Sequence, residues 1–140
     1  MKNIIVKSRQ EIERLLFYKE PNTFIISITD PNSKSADIKQ EIEKNILRLS
    51  FYDIDQEIKT SDGKIFKPIS DYQVELIVNF IRKNYDDIID LYVSCEAGIS
   101  RSAGIAGAIA KYYKDNDIYY FKNYIPNRYC YNKLLQKFME

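Results

Sequence analysis

A chain of 140 residues, 45% hydrophobic and 29% charged, has an ordinary globular make-up, and its 21 basic and 20 acidic side chains leave a net charge of +1. That balance excludes the basic excess of a nucleic-acid binder, and no apolar run approaches the length that crosses a bilayer. Histidine is absent, which removes Ser-His-Asp and Cys-His catalysis and His-based zinc sites. The two cysteines, Cys95 and Cys130, are too few for a disulfide framework or a thiolate metal site. The N-terminal Met-Lys-Asn-Ile-Ile-Val-Lys stretch is too short and too soon charged for a signal peptide, so the cytoplasm is the expected compartment.

With no repeat, low-complexity tract or Gly/Ser linker, residues 1–140 are expected to form one domain. Ile4 to Lys7 reads as a first strand. Ser8 with Glu11 has capping-box spacing, and Ile12, Leu15 and Leu16 predict the buried stripe of a helix. Phe24 to Thr29 is a compact strand, closed by the turn signal Asp30-Pro31-Asn32-Ser33. Lys34 to Asn45 suits a loop or a short helix. Ile46 to Phe51 alternates as a strand does, and the polar stretch from Tyr52 to Lys67 suits an exposed loop. Ser70 and Gln73 repeat the capping-box spacing before a helical stripe of Val74, Ile77, Val78 and Ile81, ending near Asn84.

Ile88 to Val93 is mostly apolar, as in a strand buried on both faces of a parallel sheet. From Ser102 the small residues predict a helix that lies close against that sheet. The tyrosine-rich tail ends in a predicted helix, Tyr131 to Met139. Strands alternating with helices indicate an α/β fold with a central, mostly parallel sheet flanked by helices.

The informative segment is Val93-Ser-Cys-Glu-Ala-Gly-Ile-Ser-Arg-Ser-Ala103, which runs from a buried strand through a tight loop into a helix. Loops at the carboxyl edge of such a sheet bind ligands, and the helix N-terminus turns free N–H groups and a positive dipole end toward them. A cysteine there has a stabilised thiolate, with no histidine base required. Cys95 is the candidate nucleophile. Arg101 can fold back over the loop and bind two phosphate oxygens with its planar fork. Gly98 permits torsions that aim successive N–H groups at one anion, so Glu96, Ala97, Gly98, Ile99, Ser100 and Arg101 are the candidate phosphate-binding residues. Ser102 can donate to the cysteine sulfur as it leaves a phosphocysteine. A bare Cys-x5-Arg spacing is a weak signal. Strand, glycine, serines and following helix make it strong.

At these residues the chain resembles the dual-specificity branch of the protein tyrosine phosphatase superfamily, whose signature is His-Cys-x5-Arg-Ser/Thr. Ser94 to Ser102 matches all but the first residue. The resemblance implies a tyrosine-phosphatase-like fold, a phosphocysteine mechanism, no metal and no cofactor. It also implies a phosphorylated protein substrate carrying phosphotyrosine, with phosphoserine or phosphothreonine as further targets. Ser94 stands where the family has histidine, which implies weaker support for the thiolate. The loop lies two-thirds along the chain, unlike low-molecular-weight tyrosine phosphatases and arsenate reductases, which carry it near the N-terminus.

The family protonates the leaving oxygen with an aspartate just past an alternating strand. Leu49-Ser-Phe-Tyr-Asp53 fits best, so Asp53 is the candidate acid, with Asp55 and Asp62 as alternatives. Cys130 reads as a packed core thiol, the alternative being a redox disulfide with Cys95. Tyr112, Tyr113, Tyr119, Tyr120 and Tyr124 read as half-buried packing residues rather than a docking wall. Other functional readings are a catalytically weak phosphoprotein-binding module, a phosphatase acting on a phosphoinositide or an RNA 5′ end, and a rhodanese-like sulfur carrier. Neither nucleic acid nor membrane is an expected partner.

Overall fold

The computed structural model describes residues 1–140. In chain order it runs β1 (Asn3–Ser8), α1 (Arg9–Arg14), β2 (Leu16–Tyr18), β3 (Thr23–Thr29), β4 (Lys39–Gln40), a 3-10 turn (Glu43–Asn45), β5 (Ile46–Ser50), β6 (Ile58–Lys59), β7 (Ile65–Phe66), α2 (Asp71–Asn84), β8 (Asp90–Cys95), α3 (Arg101–Lys114), α4 (Ile118–Asn123) and α5 (Arg128–Met139). Four strands form one parallel sheet in the order β1-β8-β3-β5. Every strand of that sheet therefore ends at the same edge. The protein is an α/β fold with a central parallel sheet between helical layers, as the alternation of apolar strands and amphipathic stripes predicts.

Alternation along the strands sorts the core. Phe24, Ile26, Ile28, Leu91 and Val93 face α2, α3 and α5, joined by Val74, Ile77, Ile81, Ile105, Ile109 and Leu134. Ile25 and half-buried Tyr92 face the other way, toward a smaller cluster of Ile12, Phe17, Ala36 and Ile38. All seven residues of β3 are buried, as befits a strand covered on both faces. Both capping boxes form. Ser8 Oγ accepts from the Glu11 amide at 3.1 Å, and Ser70 Oγ from that of Gln73 at 3.1 Å.

Four local expectations need correction. The first helix stops at Arg14, and Leu16 leaves its stripe to lie exposed in β2. The stretch 34–45 is neither plain loop nor α-helix. It pairs β4 in parallel with β2 and then makes the 3-10 turn. The segment 52–67 contains the β6/β7 hairpin, whose turn holds Gly63 at φ +88°. The last helix starts at Arg128, three residues before Tyr131, because Asn127 caps it, and α4 precedes it. No helix is long and apolar enough to cross a membrane.

Tyr120 is buried and donates to the Ile4 carbonyl at 2.7 Å. Burial pushes its hydroxyl to about 12 from an ordinary 10.0. Burial acts likewise on the Cys130 thiol, from 9.0 to about 12, and on Tyr124 and Tyr131, both to about 12. All four hold their protons more tightly folded than unfolded. Their contribution is therefore complete below about pH 9 and disappears as the pH climbs toward 12. Thermal melts are expected to give a flat Tm up to about pH 9 and a steep decline above it. A Tm unchanged at pH 11 contradicts this.

Candidate active site

Because the sheet is parallel, Ser8, Thr29, Ser50 and Cys95 all finish at one edge. The loop Cys95–Arg101 crosses that edge between β8 and α3. Gly98 sits at its apex with φ +68°, and a Cβ there would lie 2.5 Å from the Ser8 amide nitrogen. Only glycine fits that pairing of left-handed torsion and backbone contact. The outer wall of the loop is tied down from three sides. Arg9 bonds Glu96 through its amide at 3.3 Å and its guanidinium at 3.1 Å. The Ile125 amide donates to the Ile99 carbonyl at 3.2 Å, and that of Asn127 to the Ser100 carbonyl at 2.9 Å. Ser100 occupies the N-cap of α3 without capping it. Its hydroxyl goes to Asp53 instead, so the first helical amides are left for another acceptor.

Cys95 ends β8 at 2% exposure, on the floor of the loop. Its Sγ lies 3.0 Å from the hydroxyl of Ser102, which is fully buried in the first turn of α3. Ser94 is buried one residue earlier, between Lys7 of β1 and Ser27 of β3.

Arg101 is 5% exposed. Its Nη1 donates to Asp30 Oδ1 and to the Phe51 carbonyl, both at 2.7 Å. Its Nε is buried with no acceptor in the protein. One corner of the guanidinium is thus anchored while another N–H waits unpaired.

The three candidate acids separate clearly. Asp53 Oδ1 accepts from Ser100 Oγ and from Asn127 Nδ2, both at 2.8 Å, which ties the carboxylate to the loop. Asp55 is exposed and lines the same cleft of about 420 Å³. Asp62 belongs to the β6/β7 hairpin. The Thr60 hydroxyl and Lys64 amide hold its carboxyl below the ordinary range, which suits a fixed anion rather than a proton donor.

Three residues of this region have no role in the sequence reading. Asp30 looks like a turn former, Arg9 like the first residue of a helix, and Asn127 like part of a tyrosine-rich tail. Asn127 alone carries a legible signal, since Ile-Pro-Asn before a helical pattern marks an N-cap.

Cys130 is fully buried, and both cysteines are free. Cys130 shares a core cluster with Cys95, and beyond burial the Asp53 charge raises its thiol further while Arg101 lowers it. The aromatic cluster is largely packing: Tyr112 stacks on Phe138 at 5.0 Å and Tyr85 on Tyr113 at 4.7 Å. Tyr112 and Tyr119 are nonetheless exposed rather than half-buried, at 40% and 56%. No group of three or more Cys, Asp or Glu side chains gathers as a metal site would require.

No protein-family model and no curated protein matches the chain. Among solved structures, the human tyrosine phosphatase-like serine/threonine/tyrosine-interacting protein superposes with a TM-score of 0.56 at 17% identity, over 96% of this chain and 89% of that one. At that identity the likeness speaks for the backbone alone: the chain has a tyrosine-phosphatase-like fold.

Proposed function

We propose that the chain is a cysteine-dependent phosphatase acting on phosphotyrosine, and on phosphoserine or phosphothreonine, in proteins. The observation that carries this reading is the buried Nε of Arg101, which has no acceptor. A buried donor without a partner costs about 1–3 kcal/mol. It sits in a loop that also leaves helix N-terminal amides uncapped, and one oxyanion there would satisfy both. A groove of about 620 Å³ supports a protein substrate. Phe51 lines it and also holds Arg101, while Arg48, Lys67, Tyr52 and Tyr72 line it with no carboxylate among them.

In this mechanism the Cys95 thiolate attacks phosphorus and the bond to the leaving oxygen breaks. Arg101 and the loop amides hold the equatorial oxygens. Asp53 gives its proton to the departing oxygen and then takes one from the water that hydrolyses the phosphocysteine, whose sulfur leaves with Ser102 donating to it. The compartment we propose is the cytoplasm, where free thiols stay reduced.

The test is hydrolysis of p-nitrophenyl phosphate without added metal. Wild type is expected to turn over and to be blocked by vanadate, Cys95→Ser to be inactive, and Asp53→Ala to lose about 10²-fold or more. Equal turnover in wild type and Cys95→Ser ends the reading. A non-catalytic phosphoprotein-binding module is the second reading, favoured by Ser94 and by the human neighbour being named an interacting protein. Inert wild type that still binds tungstate selects it. Preference for a phosphoinositide or an RNA 5′ end over a phosphopeptide would move the substrate class instead.

A further inference from the structure

Resting on that phosphatase reading, we propose that Asn127 is a positioning residue that decides which oxygen of Asp53 carries the catalytic proton. Asn127 is held from several sides. Its Oδ1 accepts from the Cys130 amide at 3.0 Å, capping α5. Its own amide donates to Ser100 at 2.9 Å, and its carbonyl accepts from the Tyr131 amide at 3.0 Å. That carbonyl also lies against Gly104, where a Cβ would come within 2.5 Å of it. Phosphate loop, Asp53 loop and last helix therefore meet on one residue.

The partners fix the orientation of the carboxamide. The Cys130 N–H can only donate, so the oxygen faces it and the NH₂ faces Asp53. That NH₂ and the Ser100 hydroxyl both donate to the same atom, Asp53 Oδ1. A proton on Oδ1 would cost one of these two accepted bonds, since the Asn127 NH₂ can only donate. It resides on Oδ2, the oxygen left free. When sulfur bonds to phosphorus, the P–O bond breaks with its electron pair on the leaving oxygen. The proton passes from Oδ2 to that oxygen and leaves Asp53 ionised.

Asp53 is exposed and lies outside any strand or helix, so its own segment does little to aim it. Without the Asn127 donor, only Ser100 restrains the carboxyl. A displacement of about 1 Å in such a group costs about 10²-fold.

Asn127→Ser keeps an N-cap oxygen for α5 but is too short to reach Asp53. For this variant kcat/KM on phenyl phosphate, whose leaving oxygen needs a proton, is expected to fall about 10-fold or more. On 2,4-dinitrophenyl phosphate, whose phenoxide departs unaided, it stays within about 2-fold. In an Asp53→Ala background the same substitution is expected to add nothing, a coupling that a purely structural role would not show. Should Asn127→Ser fold poorly, Asn127→Thr also keeps a cap oxygen while falling short of Asp53, and the same selective loss is expected. Equal losses on the two esters, or an undiminished loss in the Asp53→Ala background, overturn the positioning role alone. Wild type inactive on both esters overturns it together with the phosphatase reading.

Discussion

Arg101→Lys is expected to lower kcat/KM on p-nitrophenyl phosphate by about 10³-fold while the protein stays folded. In the proposed clamp the guanidinium has two tasks at once. Its Nη1 is bound by Asp30 and the Phe51 carbonyl at 2.7 Å each, while Nε has no protein acceptor. A planar fork can be anchored at one corner and still offer two parallel N–H bonds to an anion. An ammonium is a single point. It can satisfy Asp30 or reach for phosphate, and its position between them is soft. The fold is spared because Asp30 is 48% exposed and water can serve it when the pair weakens. Steady-state kinetics, vanadate titration and a thermal melt on the same sample check all of this. A lysine variant within tenfold of wild type contradicts the proposed clamp.

Gly98→Ala is the second large effect, and it acts on the fold and the site together. The added Cβ would stand 2.5 Å from the nitrogen and 2.8 Å from the Cα of Ser8, and 2.7 Å from the Lys7 carbonyl carbon. These are backbone atoms at the junction of β1 and α1, which cannot swing aside as a flexible side chain would. The torsion of φ +68° adds strain of its own. About 2–4 kcal/mol of destabilisation is expected, with the loop displaced and tungstate binding weakened by more than tenfold. Gly63→Ala is the control. Gly63 has φ +88° but nothing within 4 Å of a Cβ, so about 1 kcal/mol is lost with activity retained. Denaturant unfolding and anion titration of both variants separate the cases. Equal stability losses would remove the steric argument.

Much of the architecture is legible before any coordinates. The loop from Cys95 to Ser102 is contiguous, and its physics is local: a strand end, a glycine, a helix start. The capping residues Ser8 and Ser70 are equally local, since a hydroxyl three residues from a carboxamide or carboxylate decides the pairing. Lys34 to Asn45 carries no readable pattern because β4 exists only by pairing with β2, and two residues have no periodicity. The expected start at Tyr131 lies late because Arg128-Tyr-Cys interrupts the apolar stripe, while the decisive signal is the Asn127 cap.

The partners of the site residues were out of reach for a different reason. Asp30 meets Arg101 across 71 positions, Asp53 meets Asn127 across 74, and Arg9 meets Glu96 across 87. These distances close only because the strand order β1-β8-β3-β5 brings the ends of the first, third and fifth strands around the last. Chain sequence by itself determined the four strands of the parallel sheet, the three long helices, the alternating core and the tight loop after Cys95, since each depends on neighbours a few residues apart. Tertiary structure alone decided which carboxylate holds the guanidinium and which amide bonds Asp53, because strand order and register govern long-range encounters between side chains.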